Sequence, residues 1–311
     1  MPSSRRQLLA SLGVGLAGLA GCNAAPDDGT PADPTPSDTT GTPTPTPTST
    51  ALGDTATVDG VSVTVSDLVD AHSFLYLSAP DAFGVTVADG QFAFVTVDAG
   101  GDAPPAPDAF ALTFDGKRRT ATTYRDYGPA GDLPVPDTEY ATDDPRGYLG
   151  FEIPAPLDAD SVAVALDDAV RWTVPESELA PLRSPPPSFA VEYDVPDVVA
   201  RDEAIPVSLS IANEGDGRGT FRGALNHEGP LYGASDFAVT LDAGESTTHE
   251  ERITYHRQEG FSSDRLRFTV VSAAGERSFE VGLGTGSDGG TATPSGTTTA
   301  TDTATSPTSS G

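Results

Sequence analysis

The chain has 311 residues, 46 acidic side chains against 17 basic ones, and a formal charge of −29. A single Cys excludes an internal disulfide, an iron–sulfur cluster and a Cys-rich zinc site. The acid excess speaks against nucleic acid as a partner, since a phosphate backbone needs a basic face, and the length suits about two domains.

Residues 1–22 read as an export signal. Arg5 and Arg6 precede an apolar run from Leu8 to Ala20. The run is too short to span ~30 Å of hydrocarbon comfortably, and a basic start before a short apolar stretch is the signal-peptide pattern. Arg5-Arg6 followed by Gln7-Leu8-Leu9 resembles a twin-arginine signal. Leu19-Ala20-Gly21-Cys22 resembles a lipobox, in which small residues fit the signal peptidase and the Cys22 thiol takes the lipid. This resemblance implies a lipoprotein on the extracellular face of the cytoplasmic membrane, with the membrane as its partner through the anchor. Residues 23–52 are Pro, Thr, Asp and Ser for the most part and lack a periodic apolar face. They are expected to form a disordered Pro/Thr stalk that favours extended polyproline II. Residues 284–311, rich in Thr, Ser and Gly, are expected to be a disordered tail.

Between these ends, apolar residues recur at period two. Val61, Val63 and Val65 alternate with Ser62 and Thr64; Phe110, Leu112 and Phe114 alternate; so do Val162, Val164 and Leu166, and Val170, Trp172 and Val174. The pattern continues through Val207, Leu209 and Ile211, then Leu266, Phe268 and Val270. Each run has strand length and ends at Gly, Asp, Pro or Asn. Turn signals stand at Asp59-Gly60, Asp89-Gly90, Asp115-Gly116, Asn213-Glu214-Gly215 and Ala274-Gly275. No stretch carries a long helical stripe. The segment Pro181–Pro187 cannot continue a ladder, because proline lacks the amide donor. The prediction is an all-β chain: two tandem immunoglobulin-like antiparallel β-sandwiches, 53–182 and 188–283, flanked by disordered Pro/Thr-rich segments.

Lys117 is the only lysine, and Asp (32) far outnumbers Glu (14). This usage resembles that of haloarchaea that accumulate salt. At molar salt the Debye length shrinks to about 3 Å, and the self-repulsion of such a chain largely disappears. Residues 53–175, with TATVDGVSVTVSDL, QFAFVTVDA, GYLGFEIP and AVRWTVPE, resemble the telokin-like, immunoglobulin-type domain common in haloarchaeal lipoproteins. Where that domain usually has an Asn-x-Gly-x-x-Pro stretch, this chain has DAGGDAPPAPDAF. Residues 188–283, with PVSLSIANEGDGRGTFRGAL and the AGES turn, resemble CARDB-like adhesion-type sandwiches. Both resemblances imply a fold rather than a chemistry.

Catalytic and metal motifs are not found. A blue-copper site needs a Cys thiolate and two His, and the one Cys is Cys22. His249 and His256 are seven residues apart, on opposite faces of a continuous strand, and make a poor chelate pair. The four histidines read as solvated surface groups. Gly233-Ala234-Ser235-Asp236-Phe237 lacks the final glycine of a nucleophile elbow. No cofactor is expected. One stretch breaks the acidic style. Residues 115–149 hold Lys117, Arg118, Arg119, Arg125 and Arg146 together with Tyr124, Tyr127, Tyr140 and Tyr148. Arg and Tyr are enriched in binding hot spots, so Tyr124, Arg125, Tyr127, Tyr140 and Tyr148 form a candidate binding face toward an envelope protein or polysaccharide. The opposing reading is that Lys117–Arg119 guard a sheet edge while the tyrosines pack the loop onto the sandwich. The expected function is a non-catalytic cell-surface lipoprotein presenting β-sandwich modules. The alternatives are an accessory or solute-capture lipoprotein of a membrane transporter and, third, a surface hydrolase.

Overall fold

The structure, a computed structural model, describes residues 47–124, 128–201, 203–228, 232–254 and 263–284. The expected signal, with Arg5, Arg6 and Cys22, lies outside the described residues, as do most of the expected stalk and nearly all of the tail.

Nine strands build the first sandwich: β1 (Thr48–Ala51), β2 (Thr55–Val58), β3 (Val61–Ala79), β4 (Ala82–Gly100), β5 (Phe110–Phe114), β6 (Lys117–Thr120), β7 (Arg146–Ile153), β8 (Val162–Leu166) and β9 (Val170–Thr173). One sheet has the order β2-β3-β4-β7 and the other β1-β9-β8-β5-β6. The period-two runs do what alternation requires. Val65 stands opposite Val97 and Val63 opposite Ala99 within one sheet, and the inner residues of β3 and β4 pack with Phe110, Leu112, Val164 and Trp172 of the other. Trp172 Nε1 donates to the Asp54 carbonyl at 2.9 Å, so the large ring is buried without stranding its polar atom.

Two local expectations are corrected. The stalk was expected to run to residue 52, but Thr48–Ala51 form β1, which pairs in parallel with β9. Thr and Ser favour the extended backbone once the Pro-Thr repeats stop at Pro47, and Leu52 packs on the core beside them. The proline-bearing boundary is also more structured than a linker. Helix α1 (Glu176–Leu182) carries Pro181 in its last turn and buries Leu179 and Leu182 in the first core. Gln91 Nε2 donates to the Leu182 and Pro154 carbonyls. Pro185–Pro187 then lie against Gly215, Gly217 and Gly219, where a Cβ would strike the proline segment.

The second sandwich comprises β10 (Phe189–Asp194), β11 (Val198–Ala200), β12 (Ile205–Asn213), β13 (Gly219–Glu228), β14 (Gly233–Leu241), β15 (Ser246–Ile253), β16 (Arg265–Ser272) and β17 (Gly275–Gly284). Its sheets are β10-β12-β15 and β11-β17-β16-β13-β14. The pairing of β11 with β17 is parallel, again at an edge, and the remaining ladders of both sandwiches are antiparallel. The inner residues of β12 (Ile205, Val207, Leu209 and Ile211) pack on Phe221, Leu225, Phe268 and Val270. Asn213 closes its turn as a hub. Its amide donates to the Gly217 carbonyl at 2.7 Å, and its Oδ1 accepts the Ser188 and Gly215 amides.

The β3–β4 hairpin departs most from expectation. Asp89-Gly90 was read as a turn signal, but the strands turn at Pro80-Asp81 instead. Phe92 stands opposite Ala71 and Val87 opposite Ser73, so residues 88–91 form a bulge. The bulge is tied down: Glu152 Oε1 accepts the Asp89 amide at 2.9 Å, and a Cβ on Gly90 would meet the Ile153 carbonyl. Beyond it the hairpin continues as a two-stranded arm, residues 72–88, without β7 alongside.

Candidate binding surface

The arm and the tyrosine-rich loop form a third layer on the outer face of β2-β3-β4-β7. Phe74, Phe92 and Phe94 point outward from that sheet and pack with Tyr124, Leu133 and Tyr148. The rings meet edge-on: Tyr124 lies 5.4 Å from Phe74, and Tyr148 lies 5.8 Å from Phe94. This second cover explains why Gln91–Val95 are buried at every position instead of alternating. Residues 128–141 act as a strap across it. Its backbone is fastened by Ala130 N to Leu75 O at 2.7 Å and by Tyr140 N to Tyr148 O at 2.9 Å. Two glycines of β7 let it approach. A Cβ on Gly150 would stand 2.6 Å from the Tyr124 ring, and one on Gly147 would stand 2.5 Å from the Thr138 carbonyl.

The candidate binding face is therefore corrected where the structure describes it. Tyr124 is 7% exposed, and Tyr140 and Tyr148 are each 1% exposed. Side chains so covered offer no face to a partner. Tyr140 sits against Phe110 at 5.5 Å, and its hydroxyl donates to the Pro105 carbonyl. Burial pushes the Tyr124 phenol up to about 12, with the Thr122 hydroxyl pulling the other way. Burial likewise pushes Tyr140 up to about 12 and raises Tyr148. Arg125 and Tyr127 lie outside the described residues. The basic part of the stretch is exposed: Lys117–Arg119 occupy β6, the edge of its sheet, where Arg118 reaches Asp167 at 4.0 Å.

Histidines are not solvated as a class. His72 Nδ1 lies 3.0 Å from the Gly90 carbonyl. Burial lowers the pKa of His227 at the end of β13. His249 stacks on Phe237 at 4.5 Å, and its Nε2 lies 3.0 Å from Glu251, closing the seam between β14 and β15. His256 lies outside the described residues. Among the described residues no three His, Cys, Asp or Glu side chains converge on a metal-sized site. A shallow groove of about 380 Å³ lies on β10-β12-β15, lined by Ser210, Thr248 and Glu192 among others.

The most elaborate polar cluster lies where the arm meets the second sandwich. Arg222 of β13, its side chain 8% exposed, forks onto Asp132 of the strap through Nε at 2.7 Å and Nη2 at 2.9 Å. Its Nη1 donates to the Ser73 carbonyl of the arm at 3.0 Å. Asn226 Nδ2 donates to the Phe83 carbonyl at 2.8 Å, and the Phe83 amide donates to Asn226 Oδ1 at 2.9 Å. Leu75, Ala224 and Val271 are buried beside them, with Phe83 and Val85 packed around. Sequence reasoning missed this joint. Its one local signal is an Arg beside a buried-pattern Phe in Phe221-Arg222-Gly223, which does not name a partner 90 residues away.

No protein-family model matches the chain, and neither does any curated protein. Solved structures align with part of it. A β-glucosidase from Listeria innocua in complex with glucose matches 32% of this chain at 19% identity and a TM-score of 0.28. A CARDB domain from Pyrococcus furiosus, in complex with di-metal ions, matches 31% at 17% identity and a TM-score of 0.26, over 93% of that domain. A β-D-glucoside glucohydrolase from Trichoderma reesei matches 32% at 16% identity and a TM-score of 0.25, over 19% of its length. The chain spans 16% of the length of the Listeria enzyme. Likenesses this partial assign neither a family nor an activity.

Proposed function

We propose that this protein is a lipid-anchored surface protein. It is exported by the twin-arginine route, held by Cys22 at the extracellular face of the cytoplasmic membrane, and serves as a binding or structural module rather than as an enzyme. The observation that carries this reading is Leu19-Ala20-Gly21-Cys22 at the end of a short apolar run behind Arg5-Arg6, with Cys22 the only Cys in the chain. Support comes from the Pro/Thr-rich sequence that follows and from the all-β body that begins at Thr48. A neighbouring envelope protein or an anionic polysaccharide is the class of partner such a module meets. With three tyrosines in the core, the exposed cations of β6 and Arg146 at the start of β7 are what the described part of the basic stretch offers for that contact.

The anchor is testable by fractionation. Cys22→Ser should move the protein from the membrane pellet to the medium, or leave an unprocessed precursor. Unchanged processing and pelleting would place the anchor elsewhere.

A further inference from the structure

We propose that Arg222 is a latch: through it the second sandwich holds down the strap and arm of the first, so that these two segments open together as one unit. The inference stands apart from the anchoring and depends on the joint alone.

Neighbouring domains of one chain move relative to each other unless their contact is extensive and well packed. Here the contact has three interlocking parts. The apolar part is Leu75, Ala224 and Val271, all buried, with Phe83 and Val85 around them. The charged part is the Arg222–Asp132 fork, whose third contact is the Ser73 carbonyl. One guanidinium thus bridges three segments: β13, the strap and the arm. A planar guanidinium sets two parallel N–H groups on one carboxylate and turns a third to a carbonyl, a fixed fork that a tetrahedral ammonium does not offer. The amide part is Asn226, which answers both backbone groups of Phe83 and so takes the place of a neighbouring strand at the arm.

The strap cannot leave alone. On one side it bonds to Leu75 through Ala130, and on the other it bonds to Arg222 through Asp132. A small shift that parted Arg222 from Asp132 without exposing them would leave a buried charge without its counter-ion, which is strongly unfavourable. The joint therefore has a closed state and an open state, with little between. In the open state the strap uncovers Phe74, Phe92 and Phe94 while the arm uncovers Leu75.

Hydrogen exchange on the full chain in molar salt tests the latch. Arg222→Ala should speed exchange in residues 128–141 and 72–88 together. The expected change is roughly tenfold or more, as from the loss of three charge-assisted hydrogen bonds. The cores of β5, β8, β12 and β15 should keep their protection. Arg218→Ala removes an exposed ion pair with Asp242 and should leave both segments unchanged. Where Arg222→Ala fails to fold, Arg222→Lys keeps the charge without the fork and should give the same paired response. Three results would overturn the proposal: unchanged exchange in the Arg222 variants, faster exchange in only one of the two segments, or a uniform rise in every strand.

Discussion

Tyr124, Tyr140 and Tyr148 show how far a residue's neighbours decide its role. Their density beside Arg125 and Arg146 was legible in the sequence, but their burial was not. For Tyr124 and Tyr148 it depends on Phe74, Phe92 and Phe94, which arrive from β3 and β4, and for Tyr140 on Phe110; Gly150 leaves room for the Tyr124 ring and Gly147 for the Thr138–Tyr140 backbone. The phenols give a direct test. In the folded chain Tyr124 and Tyr140 are held up at about 12 and Tyr148 is raised, all by burial. In the unfolded chain they lose their protons near 10. Between these values the unfolded state binds fewer protons, so stability falls as pH rises. The contribution is complete below about pH 10 and is lost through about pH 12. An ultraviolet phenolate titration at high salt should show a group of tyrosines that ionises only as the chain unfolds. Ionisation of all eight tyrosines in one step near the ordinary value would contradict the packing.

Among the elements, the period-two run Ile205–Asn213 was legible because one face is core and the other opens to solvent. The reading failed where a second layer covers the sheet: Gln91–Val95 and Ser73–Leu75 are buried without alternation, and that cover is not local information. Asp89-Gly90 carries a turn composition but serves as a bulge, because Glu152 and the Ile153 carbonyl fix it in place. Strand β6 supports the edge-guarding reading of its cations. Lys117 and Arg119 stand opposite Phe114 and Leu112, so both lie on the core side of an open edge, with Lys117 Nζ 5.9 Å from the Phe114 ring centroid. Inward charges at an edge discourage another strand from adding. The pair Lys117→Ile and Arg119→Ile should therefore promote self-association at high salt, read as earlier elution on size exclusion. Elution unchanged from the parent chain would show that the edge is protected by other means.

For the whole molecule, two opposing facts set the behaviour. The charge of −29 repels itself in dilute buffer, whereas the Arg222–Asp132 pair at the joint, with its guanidinium buried, is screened less than an exposed pair. Raising salt should strengthen the body without loosening the joint. The two sandwiches have separate cores, but the arm, the strap and the docked proline segment bind them to each other. Scanning calorimetry of the chain from about 0.1 M to about 2 M salt, a range over which the Debye length falls from roughly 10 Å to a few Å, tests this most directly. A single transition is expected, with calorimetric and van't Hoff enthalpies in agreement and a midpoint that climbs with salt. Two resolved transitions, one for each sandwich, would contradict it.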